Sequence, residues 1–203
     1  MTWQQTTISL VVSGLLLQAP VCWAKALVGE AAPAFSLSDA TGKSRSLSEF
    51  SGQFVVLEWI NPDCPFVRKH YGSGNMQQLQ QTYTQKGVAW LTVNSSAPGK
   101  QGHLTPEAAR RFIEARGAHA TAFLLDSDGA VGRLYGAKTT PHLFVINPDG
   151  VLIYAGAIDD IPSPDPGDIP QAVNYVATAL DEAMAGEPVT VPASRPYGCS
   201  VKY

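Results

Sequence analysis

The chain has 203 residues, 45% of them hydrophobic, and a formal net charge of -3 from 17 acidic and 14 basic side chains. Its lysines and arginines are dispersed and form no basic stripe, which removes nucleic acid from the expected partners. The length suits one domain with a core of ordinary size, and no internal repeat or low-complexity tract argues otherwise.

The first segment reads as a secretion signal. An apolar run from Ile8 to Leu17 is followed by Pro20 and then by Ala24-Lys25-Ala26, a small-residue pattern that a signal peptidase can cut. Residues 1–26 are therefore expected to be removed, leaving a periplasmic or secreted protein. Gln18 and Pro20 interrupt the segment before it reaches the ~20 apolar residues of a spanning helix, so no stable membrane insertion is expected after cleavage. Val21 stands before Cys22 where a lipoprotein site needs a small residue. Of the cysteines Cys22, Cys64 and Cys199, the mature chain keeps the last two, in a compartment where disulfides persist.

Beyond the signal, strands and helices alternate. Phe35 to Leu37 and Ser44 to Leu47 flank the turn residues from Asp39 to Lys43 and predict an N-terminal hairpin. Phe54 to Ile60 and Val88 to Val93 read as buried strands. Pro65 to Lys86 between them reads as a helix that Gly72 to Asn75 should kink or break. Thr105-Pro106-Glu107 opens another helix, with Ala109, Phe112 and Ile113 on its apolar face. Ala122 to Leu125 predicts a short strand and Ala130 to Tyr135 a helical turn. Leu143 to Ile146 and Val151 to Tyr154 bracket Asn147-Pro148-Asp149-Gly150 as a second hairpin. A Pro- and Asp-rich loop from Asp159 to Pro170 precedes a last helix striped by Val173, Val176, Ala177, Leu180 and Met184. This order predicts an α/β domain over residues 27–185, a central mixed β-sheet flanked by helices with the N-terminal hairpin as an extension. Residues 186–203, punctuated by Pro188, Pro192 and Pro196, predict an extended tail over the surface.

Chemistry concentrates where the strand from Phe54 ends in Asn61-Pro62-Asp63 and Cys64 stands directly before Pro65, a residue suited to the first position of a helix. Backbone N–H groups and the positive end of the helix dipole favour a thiolate there, with Arg68 one turn on, so Cys64 is a candidate nucleophile. Glu58, inside the same apolar strand, is costly to bury and is expected to titrate above the usual carboxylate range; the alternative is a Glu facing solvent or paired with Lys69 or Arg68.

The helix that begins at Cys64, Thr140-Pro141 before the last hairpin, and the stretches A-P-A-F-S-L-S-D-A-T-G-K, L-D-S-D-G-A-V-G-R-L-Y-G-A and N-P-D-G resemble the thioredoxin fold in its peroxiredoxin-related branch, the alkyl hydroperoxide reductase/thiol-specific antioxidant and TlpA-like redoxins. The resemblance runs from about Gly29 to Ala185. It implies that Cys64 is the nucleophilic cysteine, that Pro141 is a cis-proline facing it, that Thr140 presents backbone groups to a bound thiol partner, and that Glu58 matches a buried proton-exchanging carboxylate. It also implies a thiol oxidoreductase without a cofactor, acting on a peroxide or a protein disulfide and recharged by an external thiol reductant.

The chain departs from that pattern in two ways. Val67 stands where thioredoxins carry their second cysteine, and Leu57 and Asn61 stand where peroxiredoxins carry Pro and Thr or Ser. The Asn61 amide is expected to donate a hydrogen bond in place of the missing hydroxyl. The resolving thiol must then come from elsewhere, and Cys199 is the candidate: fourteen residue steps from Ala185 span roughly 46 Å when extended, against a radius of gyration of about 16 Å. A second reading, similar to Sco-type copper chaperones, gathers Cys64, Cys199 and His142 as a soft site for Cu(I).

Overall fold

The computed structural model describes Met1 and residues 25–203. Nearly all of the expected signal segment, with Cys22, lies outside the described residues.

In chain order, β1 (Ser36–Asp39) and β2 (Ser44–Ser46) form the N-terminal hairpin that the turn residues predicted. Asp39 closes it: its carboxylate accepts from the Thr41 and Lys43 amides at 2.8 and 3.0 Å and from Arg45 Nε at 2.9 Å. The apolar run that follows is β3 (Val55–Trp59), every residue of it buried. Two helices come next, α1 (Pro65–Gly72) and α2 (Asn75–Gln85), so the kink or break expected between Gly72 and Asn75 is a break. The break falls at Gly74, whose φ of 80° is a left-handed conformation that glycine adopts without steric penalty.

Strand β4 (Ala89–Asn94) pairs parallel with β3. Helix α3 (Pro106–Arg116) starts as predicted at Thr105, whose Oγ1 accepts from the Ala108 amide at 3.3 Å. Next come β5 (Ala122–Leu125) and α4 (Ala130–Tyr135). Three strands follow, β6 (Thr139–Thr140), β7 (His142–Ile146) and β8 (Leu152–Gly156). Helix α5 (Tyr175–Met184) is capped by Asn174, whose side chain accepts from the Ala177 amide at 2.9 Å. That cap puts Val173 outside the helix and exposed, and Met184 is exposed as well, so the apolar stripe is narrower than expected. A last two-residue strand, β9 (Cys199–Ser200), lies in the tail.

The main sheet runs β2-β1-β5-β4-β3-β7-β8. Its centre is parallel across β3, β4 and β5, and β7 and β8 continue it antiparallel. Because side chains alternate along a strand, β3 sends Val56 and Ile60 to one face and Val55, Leu57 and Trp59 to the other. The first face packs against Val67 and Tyr71 of α1, Met76 and Tyr83 of α2, Ala109 of α3 and Val176 and Leu180 of α5. The second is covered by Val131 and Tyr135 of α4 together with Phe35 and Phe50. Cys64 belongs to the first core, at the carboxyl end of the central strand.

Candidate active site

Cys64 is the residue before α1, with φ -72° and ψ 126°, so its own N–H stays outside the helix and donates to the Asn61 carbonyl at 3.0 Å. Asn61 builds that corner. Its Oδ1 accepts from the Asp63 amide at 2.8 Å and its Nδ2 donates to the Gln101 carbonyl at 3.1 Å. Asn61 is buried, and its amide spends its oxygen and one of its two N–H donors on backbone groups.

Opposite Cys64 lies the Thr140-Pro141 peptide, which is cis as the resemblance implied. As a thiol, Cys64 Sγ donates to the Thr140 carbonyl at 3.0 Å. The tail closes the third side. Strand β9 pairs antiparallel with β6, Cys199 opposite Thr140, and the Thr140 hydroxyl lies 3.5 Å from the Cys199 carbonyl. Further along, the Val201 amide donates to the Lys138 carbonyl, the Ala97 amide to the Lys202 carbonyl, and the Tyr203 hydroxyl to the Ala137 carbonyl. The predicted surface tail is thus a docked strap, and it brings Cys199 against Cys64.

The two sulfurs are chemically unequal. Burial pushes the Cys64 thiol up, but a hydrogen bond from the Cys199 thiol, the Val67 and Cys199 amides and the Thr140 side chain together hold it below the ordinary thiol range. Helix-terminal N–H groups supply part of this, as the position of Cys64 predicted. Arg68 does not: its guanidinium bonds the Asp63 carboxylate at 3.1 Å and the Pro62 carbonyl at 3.1 Å. Cys199 is shifted the other way, to about 11, first by burial, then by its hydrogen bond to Cys64 and by the charge that Cys64 carries. Cys64 has no exposed surface, whereas Cys199 is half-buried.

Glu58 is fully buried, which removes the alternative of a solvent-facing or Lys69- or Arg68-paired side chain. Its Oε1 accepts from the Tyr71 hydroxyl at 2.9 Å, and its Oε2 from Trp90 Nε1, Gln80 Nε2 and Thr92 Oγ1 at 2.8, 3.1 and 3.2 Å. Burial pushes its pKa up to about 7 against these four donors. None of its partners is a sulfur, so the structure ties Glu58 to α1 and α2 rather than to Cys64 directly.

His142 does not join the cysteines. It lies on β7 in register with Trp59, its ring stacks on Phe144 at 4.4 Å, and its Nδ1 accepts from the Lys138 amide at 3.2 Å. Phe144 and Trp59 belong to the second core, whereas Cys64 belongs to the first. The three-ligand copper site is corrected on that ground: strand alternation turns His142 to the opposite face of the sheet.

Sequence reasoning missed a buried polar group beneath the strap. Lys69, His70, Asp159 and Tyr197 converge there, from α1, the loop after β8 and the tail. Lys69 and His70 sit on a helix whose polar residues ordinarily face water, and the only advance signal was the unusual aromatic content of the tail.

A buried cysteine at a helix N-terminus, a cis-proline corner facing it and a second cysteine on the strand paired with that corner, on a sheet of this order, define a thioredoxin-fold, thiol-dependent oxidoreductase. The chain belongs to the AhpC/TSA family, whose profile matches residues 28–155. Among curated proteins it is similar to the thiol-disulfide oxidoreductase ResA of Bacillus thuringiensis subsp. konkukian, 26% identical over 126 residues, 62% of this chain and 67% of that protein. Among solved structures, a hypothetical protein from Sinorhizobium meliloti 1021 superposes with a TM-score of 0.76 at 26% identity, covering 87% of this chain and 94% of the other. A candidate thiol:disulfide interchange protein DsbE from Chlorobium tepidum superposes with a TM-score of 0.53 at 28% identity, covering 64% and 85%.

Proposed function

We propose that the protein exchanges thiols with disulfides in other proteins, with Cys64 as nucleophile and Cys199 as its resolving thiol, and that Thr140 and Pro141 line the place where the substrate sulfur arrives. The observation that carries this reading is the register of the strap, which sets Cys199 opposite Thr140, the residue whose carbonyl receives the Cys64 thiol at the buried start of α1. Cys199 takes the part that a C-x-x-C partner would take at Val67.

When the strap lifts, the Cys64 thiolate attacks one sulfur of a substrate disulfide and the other sulfur leaves, taking a proton from water. The strap returns, Cys199 gives up its proton and attacks the Cys64 sulfur, and the substrate leaves as its second thiol, with Cys64 and Cys199 joined. An external dithiol restores the pair. It attacks the half-exposed Cys199 sulfur, and Cys64 departs because the thiolate of lower pKa is the better leaving group. Disulfide is favoured over peroxide because Leu57 and Asn61 replace the Pro and hydroxyl residue of peroxiredoxins, and because the similar ResA is named a thiol-disulfide oxidoreductase.

We further read residues 1–26 as an export signal, residues 27–185 as the redoxin domain and 186–203 as the strap, which places the pair in a periplasmic or secreted setting where its disulfide survives. N-terminal sequencing of exported protein should begin at Leu27. The functional test is a paired assay of protein-disulfide reduction and peroxide consumption, with non-reducing peptide mapping of the oxidised chain. Disulfide turnover and a peptide joining the Cys64 and Cys199 segments, absent from Cys199→Ser, are expected. Faster turnover of peroxide, or oxidised chains linked Cys64 to Cys64, would overturn the assignment.

A further inference from the structure

Beside the contacts of Pro192 and Ser194 with Ala155 and Ala157 and of Val201 and Lys202 with Lys138 and Ala97, two tyrosine hydroxyls hold the strap on either side of Cys199, and they differ in kind. After Cys199, Tyr203 donates its hydroxyl to a backbone carbonyl, that of Ala137, at 2.8 Å, and its ring lies under the Arg133 guanidinium. Before Cys199, Tyr197 reaches a buried carboxylate. Its hydroxyl donates to Asp159 Oδ1 at 2.5 Å, and its ring packs on Phe66 with centroids 5.6 Å apart. Phe66 stands two residues after Cys64 and Tyr197 two residues before Cys199, so this contact flanks both sulfurs.

Asp159 is the hub. Its Oδ1 also accepts from the Ile161 amide at 3.2 Å, while its Oδ2 lies 3.7 Å from Lys69 Nζ and 3.8 Å from His70 Nε2. The Lys69 and His70 side chains have no exposed surface and that of Asp159 has 3%. Asn75 Nδ2 lies 2.8 Å from His70 Nδ1 and serves as its donor, which leaves the imidazole proton on Nε2, facing Asp159 and the Tyr197 oxygen 3.5 Å away. Asp159 is thereby fixed to the helix that begins at Cys64, and Tyr197 is the tail's attachment to it. A hydrogen bond to a buried charge is stronger and more directional than one between neutral groups.

We propose that Tyr197 and Asp159, braced by Lys69, are positioning residues that set the register of the strap and hold the Cys199 sulfur against Cys64. This rests on the redox pairing proposed above and names the residues that impose it. Without the latch, the nearest anchor before Cys199 is Ser194, and the short β6 pairing with the Val201 bond to Lys138 is all that holds the cysteine from the other side, so Cys199 samples positions from which it neither donates to Cys64 nor attacks it.

The test uses Tyr197→Phe, which keeps the ring on Phe66 and deletes the hydroxyl, beside Tyr203→Phe, which deletes the hydroxyl at the other anchor. Two quantities are read on the full chain: the equilibrium constant of the Cys64–Cys199 disulfide against glutathione, and the midpoint pH of Cys64 alkylation in the reduced protein. Losing a charged hydrogen bond predicts that Tyr197→Phe lowers the equilibrium constant about tenfold, and raises the alkylation midpoint, with Tyr203→Phe within about twofold of wild type. Asp159→Asn should weaken the pair similarly, and adding Tyr197→Phe to it should change little, since both remove one interaction. If Tyr197→Phe matches wild type in both readouts, or Tyr203→Phe shifts them equally, the latch is overturned in favour of general tail packing. Should wild type form no Cys64–Cys199 bridge, the pairing fails by itself, and the alkylation midpoint alone then decides the latch.

Discussion

Glu58 shows how one buried side chain sets a pH dependence for the whole fold. Its folded pKa of about 7 lies above its ordinary 4.5, so the folded chain holds the proton more tightly than the unfolded one. The stability this provides is complete below the unfolded value and is lost as pH rises through the folded one, about 3 kcal/mol in all. Gln at this position keeps one oxygen for Trp90, Gln80 and Thr92 and turns its amide to Tyr71, whose hydroxyl can accept. Urea unfolding of Glu58→Gln should therefore be nearly flat between about pH 5 and about pH 8, where wild type declines; parallel slopes in the two proteins would contradict this account. Asn61 makes the complementary case. Threonine there has one short-reaching oxygen in place of the two amide atoms that meet Asp63 and Gln101, so Asn61→Thr should lose about 1–2 kcal/mol of stability without gaining peroxide turnover. A rise in peroxidase rate would show that the corner has room for a peroxide after all.

At the scale of elements, the decisive contact is between two strands of two residues each. The tail turns into β9 at Gly198, whose φ is 121°, and a Cβ added there would stand 2.1 Å from the Thr140 carbonyl oxygen. Gly198→Ala is strained by its backbone and blocked by its neighbour, so the strap should detach locally while the sheet persists. Cys64 alkylation is expected to accelerate about tenfold or more, with amide exchange rising at Val201 and Ala97 and staying slow in β3 and β4. Unchanged alkylation would mean that the strap does not cover the nucleophile. The sequence showed that this tail was too apolar and aromatic for solvent, through Tyr197, Val201 and Tyr203. It did not show where the tail docks, because β6 and β9 are too short to carry a periodic pattern and their pairing joins positions 59 residues apart in the Thr140–Cys199 contact.

Across the whole molecule, what could be read in advance was what local chemistry determines. Apolar runs gave β3, β4, β5, β7 and β8, turn residues gave the β1–β2 hairpin, Thr105-Pro106 gave a helix start, and Cys64-Pro65 gave the helix N-terminus. What could not be read depends on distant partners. Lys69 on a helix reads as a solvated charge until Asp159 meets it, and Asn61 reads as a free amide until Gln101 arrives from 40 positions along the chain. The second cysteine belongs to the same class, since Cys199 joins Cys64 only because the chain returns across the end of the sheet. That return has a thermodynamic consequence. A Cys64–Cys199 bridge would enclose most of the redoxin domain in one covalent loop, and cross-linking so long a loop restricts the unfolded chain strongly, by about 4–5 kcal/mol in the chain-entropy model. Since both cysteines already meet at Thr140 in the folded protein, little native strain should oppose this gain. Oxidised protein should therefore unfold at clearly higher denaturant than reduced protein, and Cys199→Ser should behave as the reduced form under both conditions. Equal midpoints for oxidised and reduced wild type, with the bridge verified by mapping, would mean that closing the bond distorts the fold as much as it restrains the unfolded chain, and the docked strap would then be the geometry of the reduced state alone.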